Sequence, residues 1–239
     1  MKNEDNYSGL QELLAIENSL EAYNLDLVTK FRKSWQYSEN ISSESVVDFG
    51  AGTGTLAEIW RNEFNVFPIC IEIDLKCTEI LKKKNFKTFH ELNEIEDESI
   101  SYIYSSNVLE HIDEDEAVLA ELFLKLKSGG LLTIYVPAIP FLYSEFDRKV
   151  GHFRRYRKKE LISKIENAGF KVKHCEWNDS FGILAALLLK LIGYRSRGLV
   201  SSGASLVFYD HYVYPISKFF DFLFFRKIAG KNLLIHALK

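Results

Sequence analysis

The 239-residue sequence predicts an α/β fold, in which short apolar strands alternate with amphipathic helices along one chain. Two observations carry this prediction. A glycine-rich turn joins the first predicted strand to a helix, and further strand–helix units follow without a Pro/Gly/Ser-rich linker. Apolar residues make up 47% and charged residues 26% of the chain, which excludes disordered, collagen-like and coiled-coil proteins.

The elements follow from the spacing of apolar residues. Intervals of three and four residues predict helices over 10–35, 55–60, 75–84, 113–127 and 159–168. Asp113 is expected to cap the fourth of these, and Gly129 and Gly130 are expected to end it. Buried strands are predicted over 45–49, 66–73, 86–89, 100–104, 131–136, from 170 onward and over 231–238. Alternation of this kind predicts a mostly parallel sheet whose ligands bind at the carboxyl ends of its strands.

We expect a single domain over residues 1–239. It consists of N-terminal helices over 1–40, a binding core over 44–178, a helical insertion or cap over 179–230 and a last strand over 231–238.

The turn over residues 50–54 reads Gly-Ala-Gly-Thr-Gly, and its glycines allow a ligand to approach the main chain closely. Thr55 stands where a dinucleotide fingerprint requires a third glycine, and the charge of Asp48 is unfavourable for a pyrophosphate. Asp74 ends the second strand, where a carboxylate can accept two hydrogen bonds from a ribose diol. The pattern therefore favours a ligand that has a ribose and a cationic group.

Residues 46–54, Val-Val-Asp-Phe-Gly-Ala-Gly-Thr-Gly, resemble the first motif of class I S-adenosylmethionine-dependent methyltransferases. Residues 71–74 resemble the acidic second motif of that superfamily, and residues 105–112 resemble the segment after its fourth strand. The order and spacing match from about residue 44 to 175. The resemblance implies a Rossmann-like, doubly wound, seven-stranded mixed sheet with a helical C-terminal insertion. It also implies S-adenosylmethionine as cofactor and S-adenosylhomocysteine as product.

The resemblance also implies roles for single positions. Gly50, Ala51 and Gly52 would lie against the methionine part of the cofactor, and Asp48 would hold the loop and face the amino group. Asp74 would bind the ribose, and Leu75 would pack near the adenine. The remaining candidates for cofactor contacts are His90 and Glu91 near the adenine amine, and Ser106 and Asn107 near the methionine amine.

Methyl transfer mainly requires alignment of the acceptor, and a hydroxyl acceptor also benefits from a base. His111 is one candidate, since ubiquinone-pathway O-methyltransferases share its Leu-Glu-His stretch; its alternative role is packing at the start of a helix. His152 is the other, in a Gly-His-Phe-Arg-Arg-Tyr run that looks like one in methyltransferases of cell-surface saccharide synthesis. Its alternative role is a structural lid residue. The candidate substrate-binding residues in the same lid are Tyr143, Arg154, Arg155 and Tyr156.

The charge is unevenly distributed. Residues 1–146 carry 12 Lys and Arg against 26 Asp and Glu, whereas residues 147–239 carry 18 against 7. Seven basic residues between positions 147 and 159 favour a phosphate-bearing acceptor or, as the alternative, form a solvated loop. Nucleic acid is not expected as a partner, because the net charge of −3 is negative and no binding motif occurs.

The three cysteines form no CxxC pair, so we predict no metal site and a reducing, cytoplasmic location. The apolar run over 181–193 is too short to span a bilayer. Together with the aromatic stretch over 212–227 it predicts either a cap or dimer surface, or peripheral contact with the inner face of the membrane. Oligomeric state is not predicted.

The function predicted from these features is methyl transfer from S-adenosylmethionine to oxygen of a small molecule, a saccharide or a lipid-linked acceptor. Two alternatives stay open. One is a protein of the same fold that binds the cofactor without catalysis. The other is a nicotinamide-dependent dehydrogenase, which Thr55 and Asp48 disfavour.

Overall fold

A computed structural model describes residues 19–192, 203–223 and 225–239, and one sheet lies at its centre. Its strands are β1 (Val46–Phe49), β2 (Ile69–Ile71), β3 (Thr88–Phe89), β4 (Ile100–Ser106), β5 (Leu126–Pro137), β6 (Lys171–Asn178) and β7 (Asn232–Leu238). Their order is β3-β2-β1-β4-β5-β7-β6, and β7 alone among them runs antiparallel to its neighbours. The predicted seven-stranded mixed sheet is therefore confirmed.

Helices cover both faces of the sheet. They are α1 (Glu21–Lys33), α2 (Thr55–Phe64), α3 (Leu75–Lys83), α4 (Asp115–Lys125), α5 (Glu145–Lys149), α6 (Lys158–Asn167), α7 (Gly182–Ile192), α8 (Gly203–Phe208) and α9 (Tyr214–Leu223). A π-helical turn, Tyr209–Val213, joins α8 to α9. The predicted N-terminal pattern begins at Leu10, so its first part lies outside the described residues.

Alternation along the strands divides the core into two layers. Leu131 and Tyr135 of β5 pack with α1 and α2, around Phe31 and Trp60. The intervening residues of β5, such as Ile134, pack on the opposite face with α4 and α6. Because successive side chains of a strand point to opposite faces, each central strand is buried on both sides.

The predicted boundaries of α4 are wrong at both ends. The helix begins at Asp115, and the Asp113 side chain accepts a hydrogen bond from Arg154 at 3.0 Å instead of capping the helix. Gly129 and Gly130 lie inside β5, because the backbone becomes extended as soon as the helix ends at Lys125. Gly129, at φ +74°, lets the strand continue through an irregular register against β4.

The helical insertion between β6 and β7 is docked by buried carboxylates. Asp210 accepts hydrogen bonds from the backbone N–H groups of Ala22 and Tyr23, both at 2.8 Å. The Tyr214 hydroxyl donates to Asp26 of α1 at 2.6 Å. These bonds hold α9 and the π-helical turn against the N-terminal helix.

The outer face of the insertion is apolar and exposed, with Phe219 at 59% and Phe222 at 74% of full exposure. Among the described residues, no helix has the length and apolar character needed to cross a membrane. Whether this face meets a membrane or a second copy stays a prediction.

Candidate functional site

The glycine loop leaves β1 and turns directly against the segment after β4. Gly50 has φ +77°, and its N–H donates to the Ile71 carbonyl of β2 at 2.9 Å. A Cβ atom built on Gly50 would lie 2.3 Å from Cγ2 of Val108. Only glycine fits this close approach in a left-handed conformation, so the loop presents backbone rather than side chain to the edge of the sheet.

Glu72 follows β2 and lies beside this loop. Its carboxylate accepts hydrogen bonds from the Gly52 N–H at 2.7 Å and from the Asp74 N–H at 2.8 Å. β1 and β2 are adjacent and parallel, so their carboxyl ends bring Glu72 to the glycine loop. Glu72 is not among the site residues predicted from the sequence. The available signal was its position immediately after the strand, at the edge where ligands bind.

Asp74 has a different position from the one predicted. Its Oδ1 accepts hydrogen bonds from the N–H groups of Lys76 at 2.8 Å and Cys77 at 3.0 Å, which makes it the N-cap of α3. The first N–H groups of a helix lack intrahelical partners, and an aspartate before the helix satisfies them. Asp74 therefore caps α3, and its predicted contact with the ribose stays a prediction; Glu72 is the carboxylate that lies against the glycine loop. Leu75, the first residue of α3, is 71% exposed.

Asp48 lies beneath the glycine loop and is only 2% exposed. Burial, together with the negative charge of Glu72, raises the pKa of Asp48 to about 7. Among the described residues, its Oδ2 atom has no hydrogen-bond partner. The side chain is therefore closed off from solvent.

The other predicted cofactor contacts lie at the same edge of the sheet. Asn107, at φ +54°, follows β4, and its N–H donates to the Tyr135 carbonyl at 2.8 Å. Its side-chain amide donates to Ser106 Oγ at 3.1 Å. His90 follows β3, and its Nδ1 lies 3.1 Å from the Glu72 carbonyl oxygen. Glu91 is exposed next to His90.

The two candidate histidines come together across a gap of 40 residues in the sequence. The rings of His111 and His152 meet edge to face, with centroids 4.5 Å apart. Glu110, fully buried, lies beside them, with its Oε1 3.9 Å from His152 Nε2. Burial raises the pKa of Glu110 to about 8, whereas burial and the neighbouring His152 lower the pKa of His111 to about 4. His111 is therefore unprotonated at neutral pH.

His152 is held by a chain of polar contacts. Its Nδ1 lies 3.0 Å from Oδ1 of Asp147, which is fully buried and also pairs with Arg155 at 2.8 Å. Burial opposes ionisation of Asp147, but the His152 hydrogen bond and the Arg155 charge outweigh it and hold its pKa well below the usual range. The Tyr143 hydroxyl donates to the His152 carbonyl at 2.7 Å. These contacts fix the imidazole in one orientation.

The lid residues predicted to bind the acceptor are largely engaged within the protein. Arg154 pairs with Asp115 at 3.0 Å, and the Tyr156 hydroxyl donates to Asp115 at 2.7 Å. Tyr156 is 0% exposed, so the structure gives its ring a place in the core instead of the predicted acceptor contact. Arg155 likewise pairs with the buried Asp147, so both arginines neutralise buried carboxylates. The run of basic residues in the sequence does not indicate which acidic residues they pair with.

The sequence matches the family described as Methyltransferase domain over residues 16–174. A curated relative is malonyl-[acyl-carrier protein] O-methyltransferase of Hamiltonella defensa subsp. Acyrthosiphon pisum (strain 5AT). It is 28% identical over 102 residues, which make up 41% of this chain and 39% of the relative. The chain therefore matches well under half of that protein's length.

Solved structures share the fold. A SAM-dependent methyltransferase from Archaeoglobus fulgidus superimposes with a TM-score of 0.58 at 19% identity, covering 90% of this chain and 94% of the other. Phosphoethanolamine N-methyltransferase 2 of Haemonchus contortus, in complex with S-adenosyl-L-methionine, has a TM-score of 0.54 at 14% identity. That match covers 91% of this chain and 56% of the other. At such identities the likeness establishes the fold alone.

Proposed function

This chain belongs to the methyltransferase domain family, and on that premise we propose that it transfers a methyl group from S-adenosylmethionine to an oxygen atom of a small molecule or saccharide. The expectation of a class I S-adenosylmethionine-dependent methyltransferase is confirmed by the family match and the sheet order. One observation carries the finer proposal: the glycine loop, Glu72 and the histidine pair converge at the carboxyl ends of β1, β2 and β4.

The residues at this edge fit the cofactor. The glycine loop offers a backbone surface that a Cβ at Gly50 would obstruct, which suits close contact with the methionine part. Each carboxylate oxygen of Glu72 accepts one backbone N–H and retains a further lone pair, so the pair of oxygens can receive two ribose hydroxyls. His90, Ser106 and Asn107 offer polar atoms around this position. When bound, S-adenosylmethionine supplies a methyl group that is already activated on a sulfonium.

The acceptor side supports oxygen as the methylated atom. His111 is unprotonated at neutral pH and lies on the turn after β4, beside Val108, which touches the glycine loop. An unprotonated imidazole there can take the proton from a hydroxyl as the oxygen attacks. The curated relative is also named as an O-methyltransferase, which agrees with this choice.

The acceptor class rests on the lid. Arg154 and Arg155 neutralise Asp115 and Asp147, so they offer no spare charge for a phosphate. We therefore favour a hydroxyl-bearing small molecule or saccharide that is recognised without these two arginines. A phosphate-bearing acceptor would need other lid cations, such as the exposed Arg157.

The cofactor assignment is tested by calorimetric titration of the full chain with S-adenosylmethionine and S-adenosylhomocysteine. Glu72→Gln keeps the side-chain shape and removes its charge, and we expect roughly 10- to 100-fold weaker binding. Asp74→Asn is the matched control, since an amide oxygen can still cap the helix, and its affinity should change little. No saturable binding by the wild type would overturn the proposed function. A loss confined to Asp74→Asn would overturn the assignment of Glu72.

Catalysis is tested separately with a labelled methyl donor and a panel of hydroxyl and carboxyl acceptors, including malonyl-acyl-carrier protein. We expect S-adenosylhomocysteine to form with a methylated oxygen product. Saturable cofactor binding without turnover of any acceptor would favour the alternative of a binding-only protein.

A further inference from the structure

Three side chains with metal-binding atoms converge on the acceptor side of the site. Glu110 and His111 lie on the turn after β4, and His152 lies on the loop before α6. One ligand atom from each can be chosen so that all three lie within 4.8 Å of one another. The sequence predicted no metal here, because that prediction considered cysteine spacing and these residues come from distant segments.

The Glu110 carboxylate lacks a counter-charge of its own. The residue is 0% exposed, and neither oxygen has a hydrogen-bond partner among the residues that the structure describes. Arg155 is a nearby cation, but its guanidinium is 2.8 Å from Asp147. A buried, unpaired carboxylate is costly, and such groups are normally paired or bound to metal. Glu110 therefore needs either a proton or a cation at this position, and the two histidines beside it supply the further ligands that a cation requires.

The surroundings of His152 are those of a metal ligand. Asp147 lies 3.0 Å from its Nδ1, which fixes the proton there and leaves the Nε2 lone pair toward Glu110, 3.9 Å away. A histidine that donates one ring N–H to a carboxylate and binds metal through the other nitrogen is the common arrangement in metal sites. Gly151 precedes His152 and has a φ of +86°. A Cβ atom built on Gly151 would lie 3.7 Å from Nδ1 of His111, so the backbone of this loop runs close to the His111 ring.

We propose that Glu110, His111 and His152 bind one divalent cation, Zn²⁺ in preference, and leave one coordination position for a water molecule or an acceptor oxygen. Two imidazoles and one carboxylate are a ligand set found in catalytic zinc sites, which keep such an open position. Two ligands about 2.1 Å from a tetrahedral ion lie about 3.4 Å apart. The observed 3.9 Å between Glu110 and His152 is about half an ångström longer, and the 4.8 Å that bounds all three ligand atoms requires side-chain movement of up to about 1.4 Å.

The proposal rests on the proposed function for the identity of the acceptor pocket, and it changes the role of His111 from proton acceptor to ligand. A hydroxyl bound to Zn²⁺ would release its proton to solvent water more readily than a free one. Its oxygen would then form a bond to the methyl carbon as the carbon–sulfur bond breaks, and the electron pair of that bond would leave with S-adenosylhomocysteine. The chemical class of acceptor is then a hydroxyl or carboxylate oxygen that can enter the coordination sphere of the metal.

The test is calorimetric titration of the chelator-treated full chain with ZnCl₂, with Co²⁺ absorption as a second readout of coordination. We expect one equivalent to bind. Glu110→Gln keeps the size and shape of the side chain and removes its ionisable oxygen, so it should remain folded, and thermal unfolding measures this. It and His152→Gln should weaken binding by more than about 100-fold.

His174→Gln is the matched control, because His174 also contacts a glutamate, Glu176, at 3.1 Å but is 40% exposed and lies on β6. It should bind zinc like the wild type. The absence of stoichiometric binding, unchanged binding by Glu110→Gln, or a loss confined to His174→Gln would each overturn the proposal.

Titration of the same proteins with S-adenosylhomocysteine separates this inference from the proposed function. Zinc binding without cofactor binding would overturn the function and support the metal site. Cofactor binding that persists in a wild type unable to bind zinc would overturn the metal site and support the function.

Discussion

The two halves of the site end on the same edge of the sheet but differ in how their carboxylates are satisfied. On the cofactor side, Glu72 and Asp74 each accept two backbone N–H groups. On the acceptor side, Glu110 is fully buried and, among the described residues, has no hydrogen-bond partner. The cofactor half is therefore organised before any ligand arrives, whereas the acceptor half is organised around a position that only a proton or a cation can complete.

The same difference is visible in the glycines of the two halves. Gly50 and Gly151 have similar positive φ values, +77° and +86°. A Cβ at Gly50 would collide with Val108, whereas one at Gly151 would meet only His111 at an ordinary distance. Backbone strain is therefore similar at the two positions, and steric crowding differs.

The largest expected effect is from Gly50→Ala. Left-handed strain and overpacking together should lower the free energy of unfolding by about 3–5 kcal/mol. Gly151→Ala, with strain alone, should cost about 1 kcal/mol. Chemical denaturation followed by circular dichroism measures both. Equal losses of stability in the two variants would show that movement of Val108 relieves the crowding at Gly50. The proposed difference in steric crowding between the two glycines would then be wrong.

The pH dependence of stability tests the buried acid of the cofactor half. The pKa of Asp48 is raised to about 7 by burial, so its contribution is fully present below the unfolded pKa and is lost as the pH rises through 7. Between pH 4 and 7 the wild type should therefore lose on the order of 2–4 kcal/mol relative to Asp48→Asn. Denaturation of both proteins across this range measures the difference. Parallel profiles would mean that Asp48 is ionised in the folded protein.

Tyr156→Phe tests the structural role assigned to a lid residue of the acceptor half. Removing the hydroxyl takes one hydrogen bond from Asp115, which keeps Lys164 at 2.6 Å and Arg154 at 3.0 Å. The free energy of unfolding should fall by about 1–2 kcal/mol, because the bond is buried and its acceptor is charged. The KM for an acceptor should not change. A raised KM at unchanged stability would restore Tyr156 as an acceptor contact.

The smallest effect is expected on the exposed face of the insertion. Phe222→Ser should change the free energy of unfolding by less than about 0.5 kcal/mol, since the ring is 74% exposed. Phe31→Ser, at a fully buried position of α1, is the contrasting variant and should be strongly destabilising. A loss at Phe222 comparable to that at Phe31 would show that this face is covered in solution. Flotation with vesicles and sedimentation would then distinguish a membrane from a second copy.

The sequence by itself determined the strand and helix order and the place of the glycine loop. Apolar periodicity and left-handed turns are local properties, so they can be read without knowing what packs nearby. The order of strands and helices also predicts which edge of the sheet holds the candidate site, because parallel strands place their carboxyl ends together. The predicted N-cap of α4, Asp113, is wrong, because that side chain is held by Arg154, 41 residues away along the chain.

Only the tertiary structure decided the roles of individual polar residues. Glu72 and Asp74 are two residues apart in sequence, and their roles separate only when β2 lies beside the glycine loop and α3 begins. From the sequence, Arg154 and Arg155 are candidates for binding a ligand, but in the structure they pair with the buried carboxylates of Asp115 and Asp147. The burial of Glu110 and its lack of hydrogen-bond partners among the described residues are visible only in the structure. The charge state and partners of a buried group depend on what surrounds it in space, and the order of residues along the chain does not specify that.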